Sequence, residues 1–240
     1  MSMQQILFAG SSTTTDPYFA NVVSLIHFDG ANLQVAPYSD VVRGASAWAD
    51  IAANTLLVTA IQKFGATSLN TGNVGVYNPD HADWNFGSGD YTVECWVRLA
   101  IGGLFQTIFA QWNSGSGEKA PFLCYTNASN QVVFGASTTN ASWDWLQTSA
   151  TTLTPEVWYH VAICRSGTTV RGFIDGVEAV TSGTLTGAVV NNTTNVTIGN
   201  TADNPGSLDL QGHIDEFRAT KGVARYTSNF TPSTTAFPDS

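Results

Sequence analysis

EVWYHVAICRSGTTVRGFIDGVEAVTS, residues 156–182, decides the fold. Val157, Tyr159, Val161 and Ile163 recur at every second position, the period of a half-buried strand. Ser166-Gly167 then marks a turn into TTVRGFIDG, and Asp175-Gly176 marks a second, tighter turn into VEAVTS. Asp-Gly between apolar runs is a strong hairpin signal, because both central residues take positive φ. The segment therefore predicts three antiparallel strands in a meander.

The same alternation extends outward. In YTVECWVRL, Tyr91, Val93, Cys95, Val97 and Leu99 take one face, while Thr92, Glu94, Trp96 and Arg98 take the other. Further strands are predicted at VVSLIHF, TLLVTAI, FQTIFAQW, FLCYT, QVVFGAS, NVTIGN and LQGHIDEFRAT. Clusters of Gly, Asn and Ser separate them at 113–117, 127–130 and 200–207. Many short strands punctuated by turns indicate an all-β, two-sheet antiparallel sandwich. No shift in composition marks a second domain. Residues 1–20, rich in Ala, Gly, Ser and Thr, read as an N-terminal arm with an apolar knot at Ile6, Leu7 and Phe8 and with Tyr18 and Phe19 at its base. Residues 21–240 read as the single domain.

Composition excludes several functions. Nine basic residues stand against 18 acidic ones, a net charge of −9. Nucleic-acid binding needs a basic surface that displaces counterions, so that class is rejected. No apolar run is long enough to span a bilayer, so no membrane partner is expected. The N-terminus has no basic stretch ahead of its short apolar run, so no signal peptide is expected. Only 11% of residues are charged, against about a quarter in ordinary domains. Neutral Thr, Ser and Asn must therefore supply the surface polarity. Cys95, Cys124 and Cys164 have no metal-binding spacing and read as buried free thiols.

LIHFDG, KFGATSLN, WNFGSGDYTVECWVRL, EVWYHVAICRSGTTVRGFIDG and GHIDEFRATKGVARYTSNFTPSTTAFP occur in that order. Together, over roughly residues 18–238, they resemble the laminin-G-like, concanavalin A-like jelly-roll domains of tailed-bacteriophage virion proteins. The resemblance implies a jelly-roll topology. It also implies roles in virion architecture, adhesion and sugar binding, and a calcium site. The stretch ANLQVAPYSDVVRGASAWADIAANTLL departs from the family pattern, in a loop on which the calcium site partly depends.

Candidate sites follow from residue type and placement. Glycoside hydrolysis needs two carboxyl groups flanking one bond. Asp215 and Glu216 are adjacent, so strict alternation sends them to opposite faces, Asp215 with Phe217 and Glu216 with Arg218. No enzyme is expected on that geometry. Neither a Gly-x-Ser-x-Gly elbow nor a phosphate-binding loop is present. An Asp beside a core Phe needs partners. Calcium shared by Asp29 and Asp215 would supply them, and so would backbone N–H groups or an Arg. Trp143 and Trp145 stand two apart and share a face if extended, a candidate platform for sugar rings with Asn140 and Asp144 as polar partners. The expectation is a non-enzymatic structural protein of the virion surface, on capsid or tail, assembled in the bacterial cytoplasm. It would dock to other virion proteins through its arm, and a homo-oligomer, guessed as a trimer, is expected. A carbohydrate-binding adhesin domain recognising host or mucosal glycans is the alternative, and a glycan hydrolase ranks third.

Overall fold

The computed structural model describes residues 15–115, 117–201 and 208–240. In chain order the strands are β1 (Val22–Ile26), β2 (Tyr38–Asp40), β3 (Gly44–Asp50), β4 (Leu56–Val58), β5 (Ser68–Asn70), β6 (Val76–Asn78), β7 (Tyr91–Leu99), β8 (Gln106–Ala110) and β9 (Leu123–Thr126). They continue with β10 (Gln131–Ala136), β11 (Trp145–Thr152), β12 (Trp158–Ser166), β13 (Thr169–Ile174), β14 (Val177–Glu178), β15 (Gly183–Thr184), β16 (Val196–Ile198) and β17 (Gly212–Lys221). Among the described residues helix is confined to two single turns of 3-10 geometry, Phe19–Asn21 and Ala82–Trp84.

Two antiparallel sheets form. The larger has nine strands in the order β14-β13-β12-β7-β17-β5-β4, with β1 also on β17 and β15 also on β13. The smaller has eight, in the order β11-β10-β9-β8-β16-β6-β3-β2. The expected all-β sandwich is thus the observed one. The meander predicted from residues 156–182 is β12-β13-β14, and its second turn has Asp175 at φ 48° and Gly176 at φ 77°.

One core fills the space between the sheets. Val93, Cys95, Val97 and Leu99 of β7 meet Phe109, Phe122, Phe134 and Trp145 from the smaller sheet and its loops, with Trp48, Trp84 and Phe217 in the same cluster. Phe and Trp bury large apolar areas, so these side chains dominate the driving force for closing the sandwich. The three cysteines are free and buried, as the sequence predicts.

The outer face of the larger sheet is covered as well. Residues 222–240 cross it, and Tyr226 and Phe230 pack on Ala162, Cys164 and Phe173. Phe237 packs with Val22 and Leu25, and Phe19 joins them from the N-terminal side. The backbone N–H of Asp16 donates to the carbonyl of Ser240 at 2.7 Å. The expected arm therefore begins to dock on its own domain by Asp16, ahead of the 1–20 boundary. Phe19 packs as described and Tyr18 lies beneath the Arg225 guanidinium, 5.6 Å from the ring centre. Ile6, Leu7 and Phe8 lie outside the described residues.

Candidate functional site

β17 organises the outer face of the larger sheet. It pairs with β7 along its length, while its other edge passes from β5 at His213–Ile214 to β1 at Phe217–Thr220. At the changeover the register with β7 slips between Asp215 and Arg218, and Glu216 takes φ 53°. This is a β-bulge, in which one extra residue bends the strand and re-aims its side chains. The bulge overturns strict alternation. Ile214 and Phe217 enter the core. Asp215 lies opposite Trp96 and Arg218 opposite Glu94 on the outer face. Asp215 therefore does not share a face with Phe217, and Asp215 and Glu216 are not on opposite sides of the sheet.

Each carboxylate has separate work. Glu216 Oε1 accepts from His27 Nδ1 at 2.8 Å, and its Oε2 accepts from the backbone N–H of Phe237 at 2.7 Å. His27 Nε2 reaches Asp239 at 2.6 Å, which closes a clasp on the C-terminal segment. Burial opposes protonation of His27, but the hydrogen bonds and charges of Glu216 and Asp239 outweigh it and push its pKa up to about 9.

Beside the clasp lies a buried ionic network. Arg218 Nη2 donates to Glu94 Oε1 at 2.7 Å and its Nη1 to Asp16 at 3.2 Å, while Arg225 Nη2 donates to Asp16 at 2.7 Å. Glu94 Oε2 also receives Tyr226 Oη at 2.8 Å and lies 3.0 Å from His160 Nε2. Burial alone would raise the Glu94 pKa, but Arg218, His160 and Arg225 hold it far below the usual carboxylate range. Arg218 and Glu216 thus share a face without pairing to each other.

Asp29 and Asp215 hold one loop. Asp215 Oδ2 accepts the backbone N–H groups of Lys63 at 2.8 Å and Phe64 at 3.2 Å. Asp29 Oδ1 accepts those of Ala66 at 2.6 Å and Thr67 at 3.2 Å. A Cβ on Gly65, which has φ +60°, would stand 2.2 Å from the Asp29 carboxylate oxygens, so only glycine lets the loop approach so closely. Calcium takes about six to eight oxygen ligands. The backbone N–H groups already occupy one oxygen of each carboxylate, Asp215 Oδ2 and Asp29 Oδ1. Among the described residues no group of three or more His, Cys, Asp or Glu is placed to hold a metal ion. The residues do not fit the calcium site that the resemblance implies. Asp215 Oδ1 is buried without a partner, and burial, against the two N–H donors, pushes the Asp215 pKa up to about 8.

The anchored loop carries Lys63 and Phe64 to the rim of a cleft of about 390 Å³, lined also by Trp96, Trp158, Asp175 and Pro232–Thr234. Phe64 meets Trp96 edge-on at 5.7 Å, and the Lys63 ammonium lies 3.9 Å from the Trp96 ring centre. Trp158 is half-buried on β12. Asp175 is fixed by accepting the backbone N–H of His160 at 2.8 Å. Aromatic walls with a few placed polar groups are the usual build of a small-ligand site.

The other sequence candidates separate. Trp145 is a core residue, 3% exposed, with Nε1 donating to the Thr181 carbonyl at 3.0 Å. Trp143 precedes β11 in a bent segment, so the two-residue period does not reach it. It lies on the outer face of the smaller sheet over Gly135, edge-on to Trp112 at 5.8 Å. The two do not share a face. Asp144 is exposed and accepts the Thr138 N–H at 2.7 Å, and Asn140 is exposed on the preceding loop. Trp96 and Trp158 were not among the sequence candidates, because alternating Trp positions on strands fit sheet packing. The sequence signal that could have found the cleft is KFG at 63–65, where a glycine follows an aromatic next to a lysine.

Residues 70–224, more than half of the chain, match the family model Laminin_G_3, of the concanavalin A-like lectin/glucanases superfamily. The chain belongs to this family. No curated protein sequence matches it. Among solved structures it is similar to the binding domain of Paraclostridial Mosquitocidal Protein 1, with TM-score 0.62 and 11% identity, over 86% of this chain and 50% of that one. It is similar to domain 4 of AbnA, a GH43 extracellular arabinanase from Geobacillus stearothermophilus solved with arabinotriose, with TM-score 0.60 and 17% identity, over 85% and 94%. It is also similar to Trypanosoma rangeli sialidase in complex with sialic acid, with TM-score 0.56 and 12% identity, over 89% of this chain and 32% of that one. The chain thus spans half of the mosquitocidal protein's binding domain and about a third of the sialidase's length, and nearly all of the arabinanase domain. At these identities the likeness is one of fold.

Proposed function

We infer that this Laminin_G_3 domain is a non-catalytic carbohydrate-binding module whose ligand sits in the cleft at Phe64, Trp96 and Trp158. One observation carries the reading. The cleft combines aromatic rings with Lys63, Asp175 and Ser233, so it offers an amphipathic sugar both a stacking surface and hydrogen-bonding groups. The neighbouring folds support it, since one was solved with arabinotriose and another with sialic acid. The absence of catalysis is supported by the use made of the adjacent carboxylates: Glu216 is held by His27 and Phe237, and Asp215 by Lys63 and Phe64. Of the two roles the sequence suggests, the comparisons favour glycan binding. The virion placement, the arm-mediated docking and the trimer draw no support from them.

Glycan-array binding tests this reading. Trp158→Ala and Phe64→Ala should each weaken binding about tenfold or more, the usual loss at an aromatic anchor. Trp143→Ala, on the opposite sheet, should leave it unchanged. Binding that survives both cleft substitutions and disappears with Trp143→Ala would move the site to the smaller sheet.

A further inference from the structure

A second concavity adjoins the cleft. It is an open groove of about 710 Å³ lined by Gln147 and Thr148 of β11, Glu178 of β14, Thr181 and Ser182 beyond it, and Asn229 of the C-terminal segment. Its chemistry differs from that of the cleft. No aromatic ring lines it, and its only carboxylate, Glu178, lies 3.7 Å from Arg171. Beside the small apolar Ala150, Ala179 and Val180, what remains is a set of amides and hydroxyls on Gln147, Thr148, Thr181, Ser182 and Asn229, the partners suited to neutral hydroxyl groups.

The two concavities draw different residues from the same hairpin and the same C-terminal segment. Asp175 of the cleft and Glu178 of the groove are three residues apart on one hairpin, so their Cα atoms are at most roughly 10 Å apart. The C-terminal segment contributes Asn229 to the groove and Ser233 to the cleft. It is pinned between them by Phe230 N–H to the Gly176 carbonyl at 2.8 Å and by Glu178 N–H to Asn229 Oδ1 at 2.9 Å. A Cβ on Gly176 would stand 2.0 Å from the Phe230 carbonyl oxygen, so the hairpin turn and the segment are in direct contact.

We propose that the domain reads its ligand as a chain: the cleft holds one sugar, and the groove holds neighbouring units of the same neutral polysaccharide by hydrogen bonds. This rests on the cleft being the glycan site. Neutral hydrogen bonds contribute little net free energy each, so the groove would not retain a free sugar by itself. A chain already held in the cleft presents its next units at high effective concentration, and weak contacts then add to affinity.

Calorimetric titration of the full chain with cello-, xylo-, arabino- and malto-oligosaccharides, each as disaccharide and hexasaccharide, tests this. In the series that binds, the hexasaccharide should bind about tenfold more tightly than the disaccharide, as two or three net hydrogen bonds imply. The double variant Gln147→Ala, Thr181→Ala should bring the hexasaccharide down to the disaccharide's affinity and leave the disaccharide unchanged. Ser182→Ala, at an exposed position, repeats the test independently. Equal affinity for both lengths in the parent chain overturns the chain reading and leaves the cleft standing. Loss of disaccharide binding in a groove variant that melts like the parent also overturns it. Failure of every oligosaccharide to bind overturns the cleft itself.

Discussion

Alkaline pH should open the His27 clasp. In the folded chain His27 bridges Glu216 at 2.8 Å and Asp239 at 2.6 Å, and its pKa stands near 9 against an ordinary 6.5. That displacement corresponds to roughly 3 kcal/mol if fully expressed. Asp239 is 65% exposed, so solvent screens its half of the interaction, and about 1–2 kcal/mol is the figure to test. The folded pKa is the higher one. The contribution is therefore fully present below pH 6.5 and is lost as pH rises through about 9. Urea denaturation of the parent and of His27→Gln, from about pH 5.5 to about pH 10, isolates it. The parent should exceed the variant by about 1–2 kcal/mol at the acid end, and the gap should close above the folded pKa. Other groups titrating in this range are common to both chains and largely cancel in the difference. A gap that stays constant with pH, or that widens toward alkali, would refute the clasp as the source of His27's stabilisation.

Asp215 gives a companion measurement. Burial holds its pKa near 8 against 3.8, so the stability its proton confers is present below 3.8 and is lost as pH rises through 8. Asp215→Asn keeps an oxygen acceptor for Lys63 and Phe64 but carries no charge. It should unfold at higher urea than the parent above pH 8, by on the order of 1–3 kcal/mol, with the advantage vanishing in acid. Glu94→Gln, in turn, removes the charge opposite Arg218 inside the sheet face. Loss of one partner from a buried ion pair should cost about 3–5 kcal/mol, read as a lowered urea midpoint with unchanged m.

Much of the fold was legible because its signals are local. The alternation of β7 and β12 and the Asp175-Gly176 turn are properties of contiguous residues, and β12-β13-β14 forms as they predict. The site was less legible because its causes lie far apart in the chain. The bulge at Glu216 arises where β17 changes partner from β5 to β1, and a two-residue period carries no trace of that event. Asp29 and Asp215 were expected to share a calcium ion, and the need of Asp215 for partners was argued from a face shared with Phe217 that the bulge removes. Their partners are backbone N–H groups, and in the case of Asp215 these lie 152 and 151 residues away in sequence. Trp143 and Trp145 were misread for a different reason: the period was applied to a residue that precedes the strand.

The charged stretch at the end of the chain now has a physical role that connects stability to binding. Arg218 and Arg225 are directed onto Asp16 and Glu94, and Lys221 donates to the Ala82 carbonyl at 2.8 Å. In a chain with only nine basic residues, placing three within eight positions is a large commitment. Buried ion pairs of this kind contribute little net stability compared with apolar packing. They do discriminate strongly against arrangements that leave one charge unpaired. The network therefore selects a single seating for the terminal segments on the outer face of the larger sheet, and the Glu216-His27-Asp239 clasp locks the end of the same segment. Pro232–Thr234, within that segment, form one wall of the cleft. A substitution that unseats the segment should thus weaken binding without touching the ligand. The charges act as a latch, and what the latch holds in shape is one wall of the proposed binding cleft.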